Sequence, residues 1–252
     1  MEACGHGALV TGAGQRIGRA LAESLAERGV AVAVHYHRSA EAAHSLCRNI
    51  SQHGGVAVAL QQDLGDTAGV PGLLDRAWES LGRPVDILVN SASIFRRGDL
   101  VGSPVSEWQT HLDINLTAPM TLMQRFVQRL GSTDQEGSSR PRQGKIVNLL
   151  DRRVVRPSAG HLAYSVSKTA LWELTRQAAL ELAPWIQVNG IGPGAILPAA
   201  TESAEQFAAM VAATPARRPG RVAEIVSALW FFLENDYVTG ELLCVDGGQH
   251  LL

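Results

Sequence analysis

Short apolar runs of strand length recur along the chain at Ala8–Val10, Val30–Val34, Val56–Leu60, Asp86–Val89, Lys145–Leu150, Ile186–Ile191 and Leu242–Val245. Between them lie longer stretches compatible with helices, among them Arg19–Ala26, Leu162–Ala183, Glu202–Ala213 and Arg221–Leu233. Near-continuous apolar strands suit a sheet covered on both faces, and strand alternating with helix throughout implies parallel crossovers. The pattern predicts an α/β fold: one domain over residues 1–252, with a doubly wound, parallel, seven-stranded sheet and helices on both faces. No repeat of the solenoid kind is present. The segment Gly131–Gly144, rich in Ser, Gly, Arg and Gln, reads as a surface loop.

Composition narrows the function. A chain of 252 residues with 46% apolar content can bury a full core. Its net charge of −2, from 22 basic and 24 acidic residues, gives no electrostatic case for nucleic acid or an anionic membrane, so small molecules are the expected partners. Cys4, Cys47 and Cys244 are scattered, with neither metal-ligand spacing nor an even disulfide framework. No metal is expected, and a reducing compartment is the simpler assumption. Nothing near Met1 reads as a signal peptide, and the run Ala228–Leu233 is too short to span a bilayer, so the expected location is cytoplasmic.

Candidate chemistry sits at the ends of the predicted strands. The first strand leads into Thr11-Gly-Ala-Gly-Gln-Arg-Ile-Gly18. Glycines there let the backbone approach a pyrophosphate and aim a helix N-terminus at it. An NAD-binding chain would place Asp or Glu after the second strand for the ribose 2′-hydroxyl, but here the chain reads His35-Tyr-His-Arg-Ser39. Arg38 and Ser39, assisted by His37, suit a 2′-phosphate instead, so the expected cofactor is NADPH. Tyr164 and Lys168 stand four apart on one helical face, a spacing that lets the ammonium draw the phenol's pKa below its usual value of about 10. Asp151 ends the fifth strand, where reacting groups gather in open parallel sheets.

In order along the chain, the glycine turn, Asn90, Asp151, Tyr164-x-x-x-Lys168 and the closing Val245-Asp-Gly-Gly248 resemble the short-chain dehydrogenase/reductase family over nearly the whole sequence. That resemblance implies a Rossmann-type fold. The spacing departs from the family pattern T-G-x-x-x-G-x-G in placing Arg16 at the middle glycine. Pteridine reductases, a branch of the family, carry an arginine there, touching cofactor phosphate and facing the substrate. They are also similar at His35-Tyr-His-Arg-Ser39 and at Asn90-Ser-Ala-Ser-Ile-Phe95, where Ser93 and Phe95 correspond to residues that hold the pterin. Asp151 through Tyr164 is similar to the bacterial dihydromonapterin reductases. Carbonyl-reducing relatives have serine in place of Asp151; a carboxylate cannot donate to a ketone oxygen, but it suits an acceptor role toward pterin amino groups.

The resemblance implies the following roles. Catalysis falls to Asp151, Tyr164, Lys168 and Asn115, the last supporting a water relay. Gly12, Gly14, Arg16, Ile17, Gly18, His35, Tyr36, His37, Arg38 and Ser39 would meet the cofactor, as would Asp63 and Leu64 beside adenine, unless Asp63 caps the next helix. Asn90, Ser91, Ala92, Lys168, Pro193, Gly194 and Ile196 complete the cofactor side, and Arg16, Ser93, Phe95, Asp151, Tyr164 and Gly194 the substrate side. Phe95 would stack on the heterocycle or serve as core, and Asp151 would act on substrate or pair with Arg152 or Arg153. Residues 195–220 would form a lid and the chain a homotetramer. The implied reaction is NADPH-dependent reduction of a dihydropterin such as dihydromonapterin, dihydrobiopterin or dihydrofolate. The alternatives are a carbonyl reductase acting on a 3-oxoacyl thioester or sugar, and a non-catalytic NADPH-binding sensor or partner subunit.

Overall fold

Seven strands form one all-parallel sheet in the order β3-β2-β1-β4-β5-β6-β7, in a computed structural model that describes residues 5–131, 143–199 and 202–252. The strands are β1 (Gly7–Val10), β2 (Ala31–Tyr36), β3 (Ala57–Gln61), β4 (Val85–Asn90), β5 (Gly144–Leu149), β6 (Ile186–Pro193) and β7 (Leu242–Val245). Among the described residues eight α-helices connect or cover them: α1 (Arg16–Glu27), α2 (Ala40–Gln52), α3 (Val70–Leu81), α4 (Val105–Leu112), α5 (Ala118–Gly131), α6 (Leu162–Leu182), α7 (Ala204–Ala213) and α8 (Val222–Glu234). The chain runs outward from β1 to β3 and returns to β4, so strand order reverses between β1 and β4, where ligands bind in such sheets.

The period of two along each strand divides the core. Val10, Val32, Val34, Val89 and Val147 face α1, α2 and α8, meeting Leu21, Leu25, Leu46, Leu229 and Phe232. Leu9, Leu88, Ile146 and Val188 face the opposite layer, with Leu73 and Leu74 of α3, Leu122 and Phe126 of α5, and Ala179 of α6. Burying each large side chain contributes about 1.5–3 kcal/mol, which is why strands covered on both faces carry so few polar residues.

Several boundaries follow local chemistry. α7 starts at Ala204 because Ser203 Oγ accepts the Gln206 N–H and the Gln206 side chain answers the Ser203 N–H, a reciprocal cap. No residue of α7 is buried, unlike the other α-helices. Between α4 and α5 the helix widens into a π-turn, Asp113–Thr117. The predicted loop Gly131–Gly144 falls mainly on residues outside the described ones; Gly131 closes α5 and Gly144 opens β5. No helix of the described residues is long and apolar enough to cross a membrane.

Candidate active site

A cleft of about 650 Å³ opens at the carboxyl ends of the strands. Its floor is the turn after β1, which two distant side chains hold in shape. Thr11 Oγ1 accepts the N–H groups of Ser91 and Ala92 at 3.0 Å each, tying the exit of β1 to that of β4. His35, 2% exposed on β2, accepts the Gly12 N–H at Nδ1 (3.0 Å) and faces the Gln62 carbonyl with Nε2 (3.0 Å). Accepting at Nδ1 requires the neutral ring with its proton on Nε2, and burial lowers the His35 pKa to about 4. Gly12 takes φ +65°, and a Cβ there would sit 2.9 Å from Ala92 Cα. A Cβ on Gly18 would lie 2.4 Å from the Gly12 carbonyl oxygen, so this glycine lets α1 close onto the turn.

Arg16 adopts φ +55°, a left-handed conformation shared among described non-glycine residues only with Arg217. Its guanidinium donates to the carbonyls of Pro198 (2.7 Å) and Leu197 (3.4 Å) across the cleft. A glycine would take that backbone angle freely; an arginine bears about 1–2 kcal/mol of strain.

At the other end, Asp151 leaves β5 and caps the 3-10 turn Arg152–Val154, its Oδ1 accepting the Arg153 N–H at 2.8 Å. Its Oδ2 accepts the Tyr164 hydroxyl at 2.8 Å and the Arg153 guanidinium at 3.0 Å. Tyr164 is buried on α6; burial first, and the Asp151 carboxylate second, raise its pKa well above the ordinary phenol value. The expectation that Lys168 lowers that pKa is overturned. The Lys168 Nζ donates to the Leu149 carbonyl at 2.7 Å and lies 6.0 Å from the Tyr164 ring centroid, while Asp151 touches the hydroxyl directly. Burial of Lys168 itself lowers its pKa to about 8.

Phe95 borders the cleft with one face stacked on His161, ring centroids 4.2 Å apart and planes 8° from parallel. Tyr164 meets Phe95 edge-on at 4.7 Å, and the Arg153 guanidinium lies 5.2 Å from its centroid. Burial and the nearby Arg153 and Arg97 lower the His161 pKa, so a neutral ring backs Phe95.

A family model described as Enoyl-(Acyl carrier protein) reductase matches residues 12–250. The chain belongs to the short-chain dehydrogenase/reductase family. This member is 35% identical to pteridine reductase 1 of Leishmania tarentolae, the match covering 97% of this chain and 96% of that one. It is 32% identical to a 3-oxoacyl-[acyl-carrier-protein] reductase of Synechocystis sp., with 96% of each covered. Among solved structures it resembles FolM alternative dihydrofolate reductase 1 from Brucella canis, complexed with NADP, at TM-score 0.93 and 34% identity, over 100% of this chain and 96% of that one.

For this family member the cleft wall gathers many of the expected residues: Gly12, Arg16, Ile17, Gly18, His35, His37 and Ser39 at one end, with Asp63, Leu64, Ser91 and Ala92, and Ser93, Phe95, Asp151, Tyr164, Lys168, Pro193 and Gly194 toward the other. Six others stand behind it. Gly14 packs on Ser39, where a Cβ would meet Oγ at 2.6 Å. Tyr36 turns to His44, ring centroids 5.9 Å apart, and Arg38 is exposed. Asn90 donates to Asn148 at 2.8 Å inside the sheet, and Ile196 is buried in the core. Asn115, in the π-turn, is fully enclosed: Oδ1 accepts from the Ile94 N–H (2.9 Å) and Ser93 Oγ (3.1 Å), and Nδ2 donates to the Ile94 carbonyl (3.1 Å) and Ser167 Oγ (3.0 Å). These four bonds fasten the Ser93–Ile94 loop to α6.

Sequence reasoning missed three contributors. Arg153 was weighed only as an ion-pair partner, yet it holds Asp151 and borders Phe95. His161 escaped because nothing in a sequence announces a ring stack. Gln249 borders the cleft from the C-terminal 3-10 turn Gln249–Leu251.

Proposed function

We propose that the chain is an NADPH-dependent reductase of a dihydropterin or dihydrofolate. The observation that carries this reading is the 2.8 Å hydrogen bond from the Tyr164 hydroxyl to Asp151 at the cleft wall. A carbonyl-reducing site needs a donor beside Tyr164; here the neighbour is an acceptor held by Arg153. Similarity to a pteridine reductase and to an alternative dihydrofolate reductase supports it, and similarity to a 3-oxoacyl-[acyl-carrier-protein] reductase supplies the rival to be tested.

The residues present fit NADPH. Gly12 and Gly18 let the turn pack closely on Ala92 and on α1, so that the start of α1 borders the cleft where a pyrophosphate would lie, and the NADP complex of the Brucella canis protein supports the same cofactor. Ser39 precedes α2 without capping it, leaving its hydroxyl for a 2′-phosphate with His37 alongside. Arg16 stands where phosphate and substrate would meet. Lys168 spends one of three N–H donors on Leu149, which leaves two for ribose hydroxyls. Bound NADPH supplies the hydride.

Proton delivery belongs to Tyr164 and Asp151. The raised pKa keeps Tyr164 a phenol at neutral pH, so it holds a proton at its hydroxyl oxygen, ready for a ring nitrogen, while Asp151 accepts N–H groups of the substrate. Two acids in contact titrate as a unit, so the transferred proton belongs to the pair. Phe95, stacked on His161 and with Arg153 over its ring, borders the cleft where a flat heterocycle would lie. Residues 195–220 act as the lid; Leu197, Ala199, Glu202 and Met210 border the cleft, and α7 is unburied. Assembly as a homotetramer is part of the proposal, supported by exposed Leu100, Val101, Val105 and Val166.

The test is NADPH consumption with dihydromonapterin and dihydrofolate beside an acetoacetyl thioester, for wild type and Asp151→Ser. Turnover of a pterin that Asp151→Ser loses supports the reading. Turnover of the thioester alone returns the chain to the carbonyl-reducing members of its family.

A further inference from the structure

The end of the last strand carries a cluster that the reductase chemistry leaves unused. Cys244 Sγ, a carboxylate oxygen of Asp246 and a ring nitrogen of His250 lie within 4.8 Å of one another. Sequence spacing hides them, since Cys-x-Asp-x-x-x-His matches no familiar ligand pattern. The backbone brings them together because Asp246 folds the chain around itself, Oδ1 accepting the Gly248 N–H at 3.0 Å and Oδ2 the His250 N–H at 2.7 Å. That turn sets His250 Nδ1 2.9 Å from Asp246 Oδ2. Among the described residues no second group of three His, Cys, Asp or Glu side chains comes so close.

We propose that Cys244, Asp246 and His250 form a binding site for a divalent transition-metal cation of the zinc class. One thiolate, one imidazole and one carboxylate make a donor set suited to zinc; magnesium and calcium take oxygen ligands and would find a single carboxylate here. Zinc–ligand lengths of about 2.0–2.3 Å place neighbouring donors about 3.3–3.7 Å apart in a tetrahedron. The Asp246–His250 pair, at 2.9 Å, has to open by about 0.4 Å and Cys244 to close by at most about 1 Å, both within reach of side-chain rotation. The Asp246 side chain is 1% exposed whereas Cys244 and His250 are half-buried, so the carboxylate is fixed and a fourth position stays open to water.

The site is separate from the proton-delivery pair but adjoins the cleft: a Cβ on Gly194 would lie 2.6 Å from Asp246 Cα, and Gln249 reaches the cleft wall from the same turn. It does not depend on which substrate the reductase takes.

Cobalt(II) titrated into the purified full chain reads the site directly through the thiolate-to-cobalt charge-transfer band in the near ultraviolet. The expected result is a band that saturates at one equivalent, is bleached by zinc, vanishes in C244S and in H250A, and persists in a C4S/C47S variant. Should those variants fail to fold, alkylation of the wild-type chain mapped by mass spectrometry gives the same answer: zinc shields Cys244 and leaves Cys47 reactive. Absence of the band, its persistence in C244S, or equal alkylation of Cys244 with and without zinc would overturn the proposal.

Discussion

At Arg16 the local cost and the proposed function pull in opposite directions. The left-handed backbone is one a glycine takes without strain, so Arg16→Gly relieves about 1–2 kcal/mol while giving up the bonds to Pro198 and Leu197. Stability should change by less than about 1 kcal/mol in urea unfolding, whereas loss of a guanidinium–phosphate contact should weaken NADPH binding about tenfold or more by fluorescence titration. Lost stability with unchanged affinity would assign Arg16 to the fold alone. His35 makes the second residue-scale prediction. Its folded pKa, about 4, lies below the unfolded value of about 6.5, so between those values the unfolded chain binds more protons. Its contribution to stability is therefore complete above about pH 6.5 and is lost as pH falls toward about 4. Urea unfolding at several pH values should show this fall in wild type and a shallower one in His35→Gln.

Among the elements, the π-turn between α4 and α5 bears most on the site. A turn widened by one residue inside a helix re-aims a side chain, and here it points Asn115 at the Ser93–Ile94 loop. Asn115→Ala strands the Ile94 N–H and carbonyl without their side-chain partner, for an expected loss of about 1–3 kcal/mol. Because the loop carries Ser93 and leads to Phe95, KM for the proposed pterin substrate should rise more than Kd for NADPH. Equal effects on both would mean that Asn115 supports the whole cleft and not the substrate end. The reciprocal cap at Ser203 works differently: it defines where α7 begins while leaving that helix without a buried residue.

For the whole molecule, one cleft draws residues from the ends of β1, β2, β4, β5 and β6, so the ligand is held by elements that otherwise meet only through the sheet. Binding should then stabilise the entire fold. At about one hundred times its Kd, NADPH adds about 2.7 kcal/mol, a rise in Tm of about 5–10 °C for a chain of this size. NADH at the same concentration should give a clearly smaller shift, because the residues after β2, His37, Arg38 and Ser39, include no carboxylate for a free 2′-hydroxyl. Equal shifts in a thermal melt would count against the 2′-phosphate reading.

Much of this was legible in the chain itself. Strand positions, layering and parallel order follow from apolar runs of fixed period, and the glycine turn, Asp151 and Tyr164-x-x-x-Lys168 are local spacings that survive as such in the fold. What the chain alone left open are contacts between residues far apart in sequence. His35 bonded to Gly12, Asn115 to Ile94 and Ser167, and Arg153 lying over Phe95 depend on strand register and on a π-turn that leaves no trace in periodicity. The direction of the Tyr164 pKa was misread for the same reason: helical spacing brings Lys168 to the same face, but only the tertiary fold places the Asp151 carboxylate on the hydroxyl and buries both, and charge at contact outweighs charge one turn away.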